Sequence, residues 1–161
     1  MAVNHNKFLT LLLGNETYGI PILKVKEIIG MMTITHVPKM PDYLKGVINL
    51  RGKIIPVIDL RLKFGMADRA YDDRTCIVVT EIQAEFGPKL SGLVVDTVSE
   101  VLDIAPLSVE PPPSSSQAEQ EFLTGLGKVK DKVVLLVDID RILTDKEKES
   151  ITLQTDEEMP A

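Results

Sequence analysis

The hydrophobic positions of this chain fall into short runs bounded by turn-forming residues. Runs of strand length occupy residues 8–13, 18–22, 47–50, 54–58, 76–82, 90–95 and 133–137. Gly14-Asn15, Arg51-Gly52, Phe86-Gly87-Pro88 and Lys130-Asp131 stand at their borders, and such residues interrupt strands by favouring tight turns. Valine and isoleucine together number 31, and β-branched side chains suit a pleated surface. Pattern and composition therefore predict a mainly β chain, folded as a sandwich or barrel. Short helices are expected at 41–45 and 60–64. A further helix is expected over 144–155, opened by the capping-box sequence Thr144-Asp145-Lys146-Glu147. The acidic tail 156–161 and the Pro/Ser cluster at 110–116 read as a solvated end and a connecting loop.

The runs repeat. The stretch from Gly46 to Asp59 can be laid on the stretch from Gly125 to Asp138, with Gly46, Lys53 and Asp59 identical to Gly125, Lys132 and Asp138. Arg51 meets Lys130, and apolar residues meet at Ile54, Ile55, Val57 and Ile58. Upstream, Gly19-Ile20-Pro21-Ile22 with Val25, Glu27 and Ile28 matches Gly92-Leu93-Val94-Val95 with Val98, Glu100 and Val101. The offset grows from 73 to 79, a difference that the insertion at 110–116 accommodates. Two matched blocks in the same order predict two copies of one β-unit, about 7–66 and 74–143, forming one domain over 7–143. Each copy holds about five strands and is marginal alone. The copies are therefore expected to pack together, bury a shared apolar seam, and leave a groove along it for docking.

Charge narrows the partners. The 161 residues carry 18 basic and 24 acidic side chains, a net charge of −6, with pI near 5.0. An acidic chain is a poor general binder of nucleic acid. Residues 1–66 hold nine basic against four acidic groups, 67–144 hold seven against fourteen, and 145–161 hold two against six. Opposite net signs in the two halves either steer different protein partners or simply keep the surface solvated. No apolar run approaches the length of a membrane span, and MAVNHNKF has no signal-peptide pattern, so a cytoplasmic protein is expected.

Candidate chemistry is thin. Cys76, the only cysteine, lies inside a strand-like run, where a small buried hydrophobe is the commoner case. His36 has no His or Cys neighbour at ligand spacing, so no metal or other cofactor is expected. No phosphate-binding loop, dinucleotide fingerprint or nucleophile elbow occurs. Asp59 and Asp138, at matching positions of the two copies, raise the alternative of an aspartic hydrolase, in which two close carboxylates share one proton. Their contexts, Asp59-Leu60-Arg61 and Asp138-Ile139-Asp140, lack the Asp-Thr/Ser-Gly turn. They suit carboxylates that cap helix starts better.

The block from Lys45 to Arg61, with Asn49-Leu50-Arg51-Gly52 at its centre, resembles the signature of the CheW family of chemotaxis adaptors. Tyr18-Gly19-Ile20-Pro21-Ile22 upstream and Phe122-Leu123-Thr124-Gly125 downstream agree in order and spacing. The resemblance covers about residues 7–143. It implies two tandem SH3-like five-stranded barrels related by internal pseudo-symmetry, and no catalysis. It also implies two partners, the cytoplasmic tip of a chemoreceptor and the regulatory domain of the histidine kinase CheA, reached without insertion into the membrane. A coupling protein of a non-flagellar pathway, pilus motility or cyclic-dinucleotide signalling, fits the same resemblance.

The resemblance implies partner-binding roles for Val25, Glu27, Leu50, Arg51 and Gly52. Val98 and Glu100 are the repeat mates of Val25 and Glu27, and Val98 is expected to line the groove between the barrels where a receptor tip would lie. On strand alternation alone, Leu50 reads as core rather than contact. Arg51, on a hairpin tip closed by Gly52, either offers its planar fork of donors to a partner or pairs within its own barrel. Gly46 and Gly52 are read as structural turn positions.

Overall fold

The computed structural model describes residues 6–84, 87–112 and 122–143. The helix expected over 144–155, the tail 156–161 and most of the Pro/Ser loop fall outside these residues. The strands are β1 Lys7–Leu13, β2 Glu16–Pro21, β3 Val25–Gly30, β4 Leu44–Leu50, β5 Lys53–Asp59, β6 Cys76–Ala84, β7 Gly87–Val95, β8 Thr97–Asp103, β9 Val109–Glu110, β10 Leu123–Val129 and β11 Lys132–Val137. The chain is mainly β, as the hydrophobic pattern predicts. One turn of helix, α1 Leu60–Lys63, follows β5, and 3-10 turns lie at Ile22–Lys24, Pro106–Ser108 and Ile139–Arg141. The helix expected at 41–45 is instead a turn, in which the Leu44 N–H donates to the Pro41 carbonyl at 3.0 Å. Pairing of Leu44 with Ile58 in the sheet, and its burial, override the local preference.

The strands form two sheets. Sheet I runs β8-β1-β2-β11-β10-β9 and sheet II runs β3-β6-β7-β5-β4. The sequence repeat maps β1, β2, β3, β4 and β5 onto β6, β7, β8, β10 and β11. Applied to sheet II, this mapping gives the first five strands of sheet I in order. The same pair of repeat positions meets at both parallel contacts: Val57 opposite Gly92 between β5 and β7, and Leu136 opposite Gly19 between β11 and β2.

The copies have nevertheless exchanged strands. Each sheet takes its first two repeat strands from one copy and its last three from the other. The sequence halves 7–66 and 74–143 are therefore not the two sheets: sheet II is continuous over 25–95, and sheet I combines 7–21 with 97–137. The turns after β2 and β7 carry the chain across. Pro21, without an N–H to continue a ladder, leads into the 3-10 turn at Ile22–Lys24, and Asp96 separates β7 from β8.

Both sheets close in the same way. In sheet II the segment after β3 returns to β4, where Thr35 and Val47 exchange backbone hydrogen bonds of 2.8 and 2.9 Å. In sheet I the segment after β8 returns as β9, which pairs with β10. Inside sheet II lie Ile48, Ile55, Val57, Ile77, Val79 and Val94, and inside sheet I lie Ile104, Val134 and Leu136. The largest core is the seam between the sheets. Leu9, Leu11, Leu13 and Ile20 of sheet I meet Leu44, Ile58, Val78 and Leu93 of sheet II there. Phe64 stacks on Phe122 with ring centroids 4.4 Å apart, and Tyr18 lies beside it at 5.4 Å. Burying each such aliphatic side chain contributes roughly 1.5–3 kcal/mol, so the seam binds the exchanged strands into one unit.

Asp59 and Asp138 act separately. The Leu62 N–H donates to Asp59 Oδ1 at 3.3 Å, and the Asp140 N–H to Asp138 Oδ1 at 2.9 Å, so each carboxylate caps the turn after its own strand. Asp59 is buried and also accepts from the Tyr71 hydroxyl at 2.7 Å. Burial first, and that bond second, push the Tyr71 hydroxyl pKa well above its ordinary value. Tyr71→Phe is expected to cost about 1.5–3 kcal/mol in a urea titration, because it removes a bond to a buried charge. A loss below a few tenths of a kcal/mol would mean that water replaces the hydroxyl.

Candidate docking surface

The β4–β5 connection is a two-residue turn whose central residues, Arg51 and Gly52, both have positive φ, 51° and 89°. That is the type I′ geometry that matches strand twist in a tight hairpin. The Gly52 N–H donates to Asn49 Oδ1 at 2.9 Å, which fixes the turn against its own strand. Lys130, the repeat mate of Arg51, has φ of 55° in the β10–β11 turn. The two tips are thus conformational copies with different chemistry.

Closure of sheet II brings the Arg51 tip onto β3, where the guanidinium donates from Nη2 to Glu27 Oε1 in an ion pair. The Arg51 side chain remains 68% exposed, against 34% for Glu27. The pair is therefore a surface contact, with much of the fork still turned to solvent. Next to it, Lys26 pairs with Glu81 at 3.2 Å. These groups rim a groove of about 560 Å³, whose apolar floor includes Leu50, Ile55, Val79 and Leu90. Leu50 is half-buried, packing on the sheet II core and lining the groove.

Val25 and Glu27 do not share one exposed face. The pairing of β3 with β6 shifts register between them, and an extra residue in one strand turns successive side chains differently. Val25 packs against the seam between the sheets, whereas Glu27 turns to Arg51. Ile28 is the exposed apolar side chain of β3, and its repeat mate Val101 is exposed in the same way on β8. Neither stands out in the hydrophobic pattern; the repeat offset alone links them.

Val98 and Glu100 lie on β8. Val98 pairs with Leu11 and packs, half-buried, on the seam, as its mate Val25 does. Glu100 is exposed and separated from the Arg51 groove by position in the other sheet. Its backbone is held by buried Thr10, whose hydroxyl donates to the Glu100 carbonyl at 2.7 Å and accepts from the Glu100 N–H at 3.0 Å. The structure thus joins Glu27, Leu50 and Arg51 in one place, sets Gly52 on the tip beside them, and keeps Val25, Val98 and Glu100 apart from them. Gly46 lies at the register shift of β4, against Thr35. No cluster of metal-ligating side chains forms among the described residues. Nor does any helix there have the length and apolarity to cross a membrane.

Residues 7–147 match the family model of the CheW-like domain. The chain belongs to the CheW family. It is 44% identical over 142 residues to a CheW chemotaxis protein of Klebsiella aerogenes, covering 88% of this chain and 83% of the relative. A CheW chemotaxis protein of Helicobacter pylori is 33% identical over 138 residues, covering 85% and 81%. The crystal structure of the CheW scaffolding protein from Thermoanaerobacter tengcongensis superposes with a TM-score of 0.79 at 37% identity, covering 88% of this chain and 96% of that one. CheW relatives are chemotaxis proteins and the structural neighbour is a scaffold, so the family role is assembly and signalling. The duplicated, strand-exchanged barrel pair is the frame that presents its surfaces.

Proposed function

We propose that this chain is a cytoplasmic chemotaxis adaptor that couples the tips of chemoreceptors to the histidine kinase CheA, without catalysis of its own. The domain over 7–143 works as one unit, because the exchanged strands and the shared seam leave neither sheet complete without both halves of the chain. The observation that carries the reading is the Arg51–Glu27 groove on sheet II, in a chain of this family. A partly exposed guanidinium over an apolar floor supplies both parts of a protein contact. The floor contributes burial, and the fork of donors gives direction toward carboxylates or carbonyls. Glu27, Leu50, Arg51 and Gly52 form the kinase-facing contact, whereas Val25 lies apart from it on the seam. Val98 and Glu100 border the receptor-facing side near the seam.

The test is calorimetry with the CheA regulatory domain. Wild-type chain is expected to bind, and Arg51→Glu to lose about 2–5 kcal/mol of affinity by leaving a partner charge unpaired beside a repelled Glu27. Circular dichroism and a urea titration must show the variant folded. Unchanged affinity would remove Arg51 from the kinase contact. If receptor and kinase binding are coupled, adding a receptor fragment should shift kinase affinity by about 1–3 kcal/mol, whereas a passive bridge would show none.

A further inference from the structure

The sheet II groove is unbalanced in charge. Glu27 and Glu81, its two acids, are each taken by a cation, Arg51 and Lys26. Lys53 and Lys89 also border it, both exposed and neither in an ion pair among the described residues. The groove therefore presents an apolar floor under two uncompensated positive charges. Such a site fits a short acidic segment that carries an apolar side chain.

This chain contains one such segment. Residues 145–161 hold six acidic against two basic groups, and Asp156-Glu157-Glu158-Met159 sets three consecutive carboxylates beside a flexible apolar side chain. Its point of departure lies next to the groove. The 3-10 turn Ile139–Arg141 is tied to β6 by the Gln83 N–H donating to Asp140 Oδ1 at 2.8 Å. It is tied to the start of β3 by Lys24 Nζ donating to Asp140 Oδ2 at 2.8 Å. Gln83 pairs with Pro88, which lines the groove, and Lys26 of the groove is two residues from Lys24. From Leu143, the thirteen residues to Asp156 reach at most about 45 Å, far more than this separation requires.

We propose that the segment 156–159 docks in this groove, its carboxylates on Lys53 and Lys89 and Met159 on the apolar floor, and so competes with whatever partner uses the Arg51 surface. The competition rests on the function proposed above; the docking does not. A tether of this kind supplies an effective concentration on the order of 1 mM. A site with a dissociation constant of about 1 mM would then be occupied roughly half the time. Partner affinity measured on the whole chain would be lowered about twofold.

The experiment keeps the full chain. A nitroxide is placed on Pro160→Cys in a Cys76→Ser background, and the reduced label on the same sample serves as reference. At low salt, the backbone amide signals of Lys53 and Lys89 are expected to lose roughly half their intensity, with those of the sheet I edge strand β8 unaffected. The loss should disappear in Asp156→Asn/Glu157→Gln/Glu158→Gln and at high salt, where exposed charges are screened. It should also disappear in Lys53→Glu/Lys89→Glu, and return when that variant is combined with Asp156→Lys/Glu157→Lys/Glu158→Lys. No broadening at the groove, or broadening that survives neutralisation of the tail, overturns the docking. If broadening is present, kinase-domain affinity is then compared between wild type and the neutralised tail. A gain of about twofold supports the competition; no gain leaves the docking standing and counts against the groove as the kinase contact.

Discussion

Asp96→Ala should lose about 3–5 kcal/mol of unfolding stability near pH 7, far more than a surface ion pair is worth. Asp96 stands at the crossing from β7 of sheet II to β8 of sheet I, and its carboxylate gathers three other segments. Arg61, on α1, donates to it through Nε and Nη2, both at 2.7 Å. Arg69, from the stretch joining the two copies, donates at 2.9 Å, and the Gly14 N–H of the β1–β2 turn at 2.8 Å. The side chains of Asp96 and Arg61 are only 12% and 15% exposed. Removing the acid therefore leaves a largely buried guanidinium unpaired.

The pH dependence follows from the same groups. Burial alone would raise the Asp96 pKa, but the bonds from Arg61 and Gly14 and the charges of Arg61 and Arg69 outweigh it and hold the carboxyl below its ordinary value. A depressed acid contributes its stability above the unfolded-state pKa, about 3.9, and loses it as pH falls through the lower folded value. Urea titrations of wild type and Asp96→Ala should thus differ widely near pH 7 and converge as pH falls through the lowered folded-state pKa of Asp96. A constant gap across that range would assign the loss to packing rather than to charge.

The strands with dense apolar runs could be read before any coordinates: β1, β2, β4, β5, β6, β7 and β11 all lie where the hydrophobic pattern places them. β3, β8 and β10 escaped it for a common reason. β3 alternates half-buried with exposed residues, β8 is mostly exposed, and β10 is broken by Gly125 and Gly127. Their strand character comes from the neighbours they pair with. The repeat was equally legible; that its mates Arg51 and Lys130 share a positive φ was not. The exchange of strands was not, because a local pattern records which face of a strand is buried and not which copy supplies its neighbour. The same limit applies to the candidate docking surface. Arg51 and Glu27 are each visible as exposed charges, but their pairing depends on closure of sheet II, and the register shift that parts Glu27 from Val25 has no sequence mark.

That closure can be broken at one atom. Gly46→Ala is expected to cost about 4 kcal/mol or more, within reach of the whole stability of a domain this size. A Cβ built on Gly46 would lie 2.0 Å from the Thr35 carbonyl oxygen and 2.8 Å from its carbon. Both are backbone atoms, so no side-chain rotation relieves the overlap. The same Thr35 oxygen accepts from the Val47 N–H at 2.9 Å, while the Thr35 N–H donates to the Val47 carbonyl at 2.8 Å. Relief requires the segment after β3 to leave β4, which sacrifices both bonds and leaves the N–H and carbonyl of buried Val47 unmet, at about 1–3 kcal/mol each. It would also free the Arg51 tip from Glu27. Gly52→Ala supplies the control. Its φ is also positive, at 89°, but an added Cβ there has nothing within 4 Å. Only the conformational penalty of about 1–2 kcal/mol applies. Chemical denaturation of the two variants separates the effects: a loss at Gly46 several times that at Gly52 assigns position 46 to the approach of Thr35. Equal losses would mean that backbone freedom alone is what both positions require, and that sheet II tolerates an open seam between β4 and Thr35.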